Sequence, residues 1–204
     1  MKKRNHQTQR HEKRKQTKRF DYLGESYVID FYPQGKSLSR TRFNDYNPLA
    51  VVVTVDFFQF YDVLLSVGSK LSVMDKLWIR YDNKRIHHLD KLNYNQLSIS
   101  AMNLLPSVIK EIVSVFENRY VTFLNQAHPL TTQMHQLRLL PGVGQKRMWT
   151  ILEARKKAPF TSFKDFSERT GISDPKSLFV TRILLELESS PKYCLFTKKP
   201  IKND

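Results

Sequence analysis

The residues with the most chemistry to offer in this 204-residue chain are two glycines and a basic pair, in "LLPGVGQKR", Leu139 to Arg147. Gly142 and Gly144 flank Val143 behind a proline, and Lys146 and Arg147 fall in what should be the first turn of a helix. One glycine in the left-handed conformation is enough to end a helix. A second lets the backbone pass close to another group with no Cβ in the way, and the free N–H groups opening the next helix point outward. Such N–H groups, with the positive end of the helix dipole, make a phosphate site. Lys146 and Arg147 oppose that dipole unless an anion sits nearby, and Arg155, Lys156 and Lys157 extend the charge along the helix. The competing reading is a plain turn.

Other chemistries are weaker. His87 and His88 are adjacent, so a strand would face them to opposite sides, and Cys194 is the sole cysteine. No metal, disulfide or cofactor is therefore expected. "GVGQKR" follows a helical segment and lacks the GKS/GKT ending, which excludes a P-loop and a dinucleotide fingerprint. His135, one turn before the hairpin, either touches a phosphate or packs against Trp149.

Charge sharpens the choice of partner. Thirty-four Lys and Arg against 19 Asp and Glu give a net charge of +15, which favours a polyanion. Residues 1–19, "MKKRNHQTQRHEKRKQTKR", carry nine Lys/Arg and one Glu with no apolar residue after Met1, and are expected to be a disordered basic tail. That tail lacks the apolar face or lipid site of a membrane binder. With no signal sequence or apolar span legible, a soluble, cytoplasmic protein with no membrane or small-molecule partner is expected.

The elements that must position the hairpin follow from pattern. "YVIDFY", Tyr27 to Tyr32, reads as a strand, and "PLAVVVTVDFFQFYDVLL" as one or two more, with a helix over Phe57 to Val67 as the alternative. In "KLWIRYDNKRIHHL", alternating residues around Asp82-Asn83 predict a β-hairpin. Then the period changes. Ile109, Ile112, Val113, Phe116, Tyr120, Phe123 and Leu124 predict one long amphipathic helix from Pro106 to the stop at His128-Pro129. Thr131 or Thr132 should cap a short helix through Arg138, and a further helix should span Gln145 to Lys157. The next, about Ser162 to Thr170, should end at Gly171, and the last should be capped by Asp174 and begin at Pro175. The remainder, "KYCLFTKKPIKND", offers one short strand.

At this point "LLPGVGQKRMWTIL" resembles the helix-hairpin-helix motif of sequence-independent nucleic-acid-binding proteins. The resemblance implies that the amides of Gly142, Val143 and Gly144 contact phosphate, that Val143 packs beneath the hairpin, and that Lys146 and Arg147 contact the strand. Met148 stands where the motif has a small residue, which implies a wider helix separation. "TSFKDFSERTGISDPKSLFVTRILLELE" resembles the degenerate partner of a tandem pair. The order of "YVIDFYPQG", "LPSVIKEIV", "PLTTQMHQLRLLPGVGQKRMW" and "DPKSLFVTRILLELE" is similar to the uncharacterised archaeal DUF655 family. That family implies an OB-like barrel followed by a tandem, RuvA-like helix-hairpin-helix domain. Its genes tend to neighbour translation and ribosomal-RNA modification genes, which tilts the expected partner toward RNA, the ribosome or its precursors.

The expectation is thus an α+β chain: a basic tail (1–19), a small OB-like β-barrel domain (20–100), an all-α tandem helix-hairpin-helix domain (101–190) and a C-terminal extension (191–204). It should bind nucleic acid, RNA ahead of DNA, through Gly142, Val143, Gly144, Lys146, Arg147, Arg155, Lys156 and Lys157. Trp78, Tyr81, Arg80 and Arg85 are candidates for base stacking and contact on the barrel, with "GKSLSRTR", Gly35 to Arg42, as a basic loop at its rim. The alternative is a DNA-repair or recombination factor, or a nuclease- or glycosylase-like enzyme. Asp165 lies 21 residues after Gly144, near the position of the catalytic aspartate in helix-hairpin-helix glycosylases. Its polar setting, "SFKDFSER", instead suits an exposed first helical turn, so no catalytic residue is assigned.

Overall fold

A computed structural model describes residues 23–36, 47–80 and 82–198. The basic tail, most of the Gly35–Arg42 loop and Tyr81 lie outside these residues. Over the described residues the fold is α+β: a curled, five-stranded antiparallel half-barrel and five helices. The strands are β1 (Gly24–Tyr32), β2 (Leu49–Thr54), β3 (Phe60–Leu65), β4 (Lys76–Ile79) and β5 (Ile86–Leu92), in the order β4-β1-β2-β3-β5. Phe60 to Leu65 is therefore strand and not helix. The Val, Phe and Tyr content of that apolar run decides for the pleat.

β2 is buried on both faces, and its alternation divides the core. Val51 and Val53, with Tyr27, Ile29 and Phe60, face the helices, whereas Ala50 and Val52 join Val28, Val63, Leu77, Ile79 and Ile86 in a smaller cluster inside the curl.

The β4–β5 hairpin does not form. β4 pairs with β1 and β5 with β3, so the two occupy opposite edges of the sheet. Every observed ladder is antiparallel, which makes β4 and β5 run in the same direction, and a two-strand hairpin between them is geometrically excluded. The turn itself is present, with Asn83 N–H donating to Arg80 O (3.1 Å). It carries the chain from one edge to the other. Alternation reported the buried face of each strand but held no information on its partner.

The helices are α1 (Ile99–Val115), α2 (Glu117–Gln126), α3 (Gln145–Lys157), α4 (Phe163–Thr170) and α5 (Pro175–Ser189). The long helix expected after Pro106 is two helices meeting at a 76° bend, with Phe116 (φ −102°, ψ 36°) between them. It also starts earlier than expected, at the Ser98 cap, and encloses Pro106. Ser98 Oγ accepts from Ala101 N–H (3.1 Å) and donates to Asp30 Oδ2 (2.6 Å), where Tyr32 OH also donates (2.6 Å). Asp30 thus joins β1, just past its bulge, to the start of α1. Burial, with Asp30 alongside, pushes the Tyr32 hydroxyl up to about 12.

α1 packs on β1 and on α5, so one apolar cluster runs from the sheet through α1 to Tyr120, Phe166, Phe179 and Phe196. No single helix among the described residues is long and apolar enough to cross a membrane. α4 and α5 follow their local signals: Ser162 Oγ caps α4 by accepting from Asp165 N–H, Gly171 ends it at φ 73°, and Asp174 caps α5 by accepting from Ser177 N–H. Residues 191–198 form no strand. They are held as an irregular segment by Glu186, whose carboxylate accepts from the N–H groups of Leu195 (2.7 Å), Phe196 (3.0 Å) and Thr197 (3.0 Å).

Candidate nucleic-acid interface

The hairpin is built by a turn whose chemistry is local. Val143 N–H donates to Leu140 O (3.0 Å), with Pro141 and Gly142 between them and Gly142 at φ 81°. Pro then Gly with positive φ is a type II turn, so Gly142 is required by backbone conformation. Replacing it with alanine should cost about 1 kcal/mol. Val143 is buried beneath the hairpin, and Met148 is buried too. The first arm is a four-residue 3₁₀ turn, Gln136–Leu139, capped by His135 rather than by Thr131 or Thr132. Thr131 Oγ1 instead accepts from Met134 N–H (3.0 Å) within its own loop.

Gly144 is different. It lies at φ −78°, which any residue adopts, and a Cβ built there meets nothing within 4 Å. Neither conformation nor packing asks for glycine. Gly144 is also the N-cap of α3, where no side chain caps the helix and no acidic residue stands in the first turn. The opening N–H groups of α3 therefore face an uncrowded, basic surface formed by the exposed Lys146 and Arg147. Arg147 Nη1 donates to Gly142 O (2.8 Å), bracing the turn from outside. From behind, the Arg182 guanidinium of α5 donates to Leu139 O (3.2 Å).

The other basic residues of α3 divide. Arg155 is turned inward: its guanidinium donates to Leu124 O (3.0 Å) and Ala127 O (2.9 Å), joining α3 to the end of α2, and burial lowers its pKa. Lys156 pairs with Glu153 (2.7 Å) at the surface. Lys157 lines a shallow concavity with Lys146, Trp149, Thr150, Glu153 and Arg169. Trp149, half exposed at 51%, stands three residues past Lys146 and is not among the contact residues expected from the sequence. The available signal was a tryptophan among polar residues on a basic helix.

Trp78, Arg80 and Arg85 are exposed but gather elsewhere, at the β4–β5 turn. Their neighbours Ile79 and Ile86 belong to the small cluster inside the curl, whereas Val143 belongs to the larger one. Arg80 pairs with Asp82 (3.2 Å).

His135 is buried, and its Nδ1 accepts from Leu137 N–H (3.1 Å), which only an imidazole unprotonated at that nitrogen can do. Burial, then the charges of Arg155 and His128, hold it below its usual 6.5. The unfolded chain then takes up a proton that the folded chain resists. The contribution of His135 is complete above pH 6.5 and is lost as pH falls below it. His135→Asn keeps an acceptor at the cap without titrating, so the drop in urea midpoint between pH 7.5 and 5.5 should be smaller in this variant.

Asp165 has structural work at the start of α4. Its carboxylate accepts from Thr161 N–H (3.0 Å) and from Arg169 (3.0 Å), and these partners lower its pKa. Among the described residues, no three His, Cys, Asp or Glu side chains are grouped to hold a metal ion.

A model of the family described as "Protein of unknown function (DUF655)" matches residues 24–198. The chain belongs to this family. An uncharacterized protein of Methanocaldococcus jannaschii, MJ0038, is 31% identical over 203 residues, covering 97% of this chain and 89% of that protein. The crystal structure of the DUF655 protein Af1531 from Archaeoglobus fulgidus superposes with a TM-score of 0.76 at 40% identity, covering 86% of this chain and 99% of that one. The resemblance read from "YVIDFYPQG" to "DPKSLFVTRILLELE" is thus to the correct family.

Proposed function

We propose that this DUF655 chain binds nucleic acid by its phosphate backbone, without reading sequence, and that RNA is its partner ahead of DNA. The observation that carries the reading is Gly144: a glycine that the fold does not need, at an uncapped helix start beside Lys146 and Arg147. A phosphate seated there would take up the opening N–H groups of α3 and offset the basic first turn. We read the 3₁₀ turn, hairpin and α3 as the first half of a tandem helix-hairpin-helix unit, with α4 and α5 as its second half. In the second half, Asp174 occupies the helix cap, so that half serves to support the fold. The curled sheet is read as an OB-like barrel left open between β4 and β5, with Trp78, Arg80 and Arg85 as a separate contact surface. Lys157 and Trp149 extend the hairpin site, whereas Arg155 is committed to the end of α2. The RNA preference rests on the gene neighbourhood of the family, and ribosomal or pre-ribosomal RNA is the partner class proposed. Asp165, already bound by Thr161 and Arg169, supports a binder over a glycosylase.

Gly144→Asp tests this directly. An aspartate caps α3, so the melting temperature should hold or rise, while its carboxylate takes the place of the phosphate. Affinity for RNA, followed by fluorescence anisotropy, should fall about tenfold or more, equivalent to about 1.4 kcal/mol. Undiminished binding by a folded Gly144→Asp protein would reduce the hairpin to a turn. If roughly three to six phosphates are neutralised, log affinity should fall against log salt with a slope of about −2 to −5, and removing residues 1–19 should flatten it.

A further inference from the structure

Between the β2–β3 turn and the end of α5 lies a cleft of about 350 Å³, within the range of small-ligand pockets. Phe57 and Phe58, in the turn, both adopt left-handed conformations, at φ 61° and 51°. Two successive positive φ values are a backbone path that Asn and Gly take readily and that strains bulky residues. Phe58 offsets that strain by burial, being 1% exposed. Phe57 does not: it is 42% exposed, and its ring lies at the cleft. A strained backbone that presents a partly exposed aromatic ring at a cleft gains little from burial, and such strain gathers at ligand contacts.

The rest of the lining specifies the ligand. Lys198 Nζ sits 4.4 Å from the centroid of the Phe57 ring, Lys91 is a second cation at the rim, and Gln59, Asn93 and Asn95 bring amide groups; the two carboxylates of the wall are already engaged, Glu186 by Arg182 and the Leu195, Phe196 and Thr197 N–H groups, and Glu188 by Tyr94 OH (3.2 Å). A flat ring to stack, amides for a hydrogen-bonding edge and cations for an adjacent negative charge together fit one nucleotide. We propose that this cleft holds a single unstacked nucleobase of a single strand against the Phe57 ring, with Lys198 moving from that ring to the neighbouring phosphate. The pocket rests on the nucleic-acid reading and gives it a second contact, selective for single strands, that the hairpin alone does not provide.

Phe57→Gly separates this role from a structural one, because glycine relieves the left-handed strain while removing the ring. Its melting temperature should equal or exceed that of the parent, and its affinity for a short oligouridylate should fall about five- to a hundredfold. Affinity for a duplex of the same length should not change, and Phe57→Trp should retain single-strand binding. The single strand is run in ribose and deoxyribose forms. A loss in either supports the pocket and identifies which sugar it admits. If the parent and Gly144→Asp proteins differ in binding but Phe57→Gly matches the parent on both single strands, the pocket is overturned and the hairpin stands. If the parent binds no oligonucleotide, both fall together.

Discussion

Glu186→Ala should destabilise the protein by about 3–5 kcal/mol, lowering its melting temperature by roughly 6–20 °C. Glu186 and Arg182 form a buried ion pair on α5 (2.7 Å), with side chains 0% and 6% exposed. Removing the carboxylate leaves the guanidinium charged in the interior and also strips the acceptor from the N–H groups of Leu195, Phe196 and Thr197. The double variant Arg182→Met/Glu186→Leu should recover part of the loss, because the buried charge is gone. Recovery should stay incomplete, since three N–H groups remain without their acceptor. Urea unfolding followed by circular dichroism measures both. The variant reaches the proposed site as well: Arg182 also holds Leu139 O, so a displaced guanidinium loosens the first arm of the hairpin.

Phe179→Ala should cost a similar amount, about 3–5 kcal/mol, by opening a cavity where four elements meet. The Phe179 ring is fully buried, with ring centroids at 4.9 Å to Tyr120, 5.7 Å to Phe163, 6.1 Å to Phe123 and 5.6 Å to Phe196. Phe179→Leu keeps most of the volume and should lose distinctly less. Phe196 both packs on Phe179 and donates its N–H to Glu186, so the two alanine variants disturb one shared segment. The cost of the double variant should fall short of the sum of the single costs, whereas addition of the two costs would show that the segment does not couple them.

The contrast between the two halves of the chain shows where the sequence was legible. α3, α4 and α5 begin and end at Gly144, Ser162, Gly171, Asp174 and Pro175, whose signals act within one turn, so those boundaries could be read directly. The bend at Phe116 could not, because the apolar spacing continues through it and a change of axis leaves that spacing intact. Strand partners were hidden for a related reason: Lys76 to Ile79 shows which residues turn inward, while pairing with β1 depends on residues some fifty positions away. Within the site, the sequence pointed to Gly142 and Gly144 but could not say that one is explained by a type II turn and the other by nothing internal. Composition likewise grouped Arg155 with Lys156 and Lys157, although its donors are consumed by carbonyls of Leu124 and Ala127. Phe57 falls within an apolar run, and nothing in Phe-Phe announces two successive left-handed residues.

Because β4 and β5 lie at opposite edges and do not pair, the sheet of the described residues keeps two unclosed borders, the situation in which proteins are prone to recruit a second copy strand by strand. Here each border is guarded. β4 is only four residues long and exposes Lys76, while β5 exposes His87, Asp90 and Lys91 to solvent. Short length and interspersed charge are the features that keep free strands from templating fibril growth. Copies of the chain can thus crowd side by side, as the proposed binding along a polyanion would require, without their sheets fusing into a common ribbon.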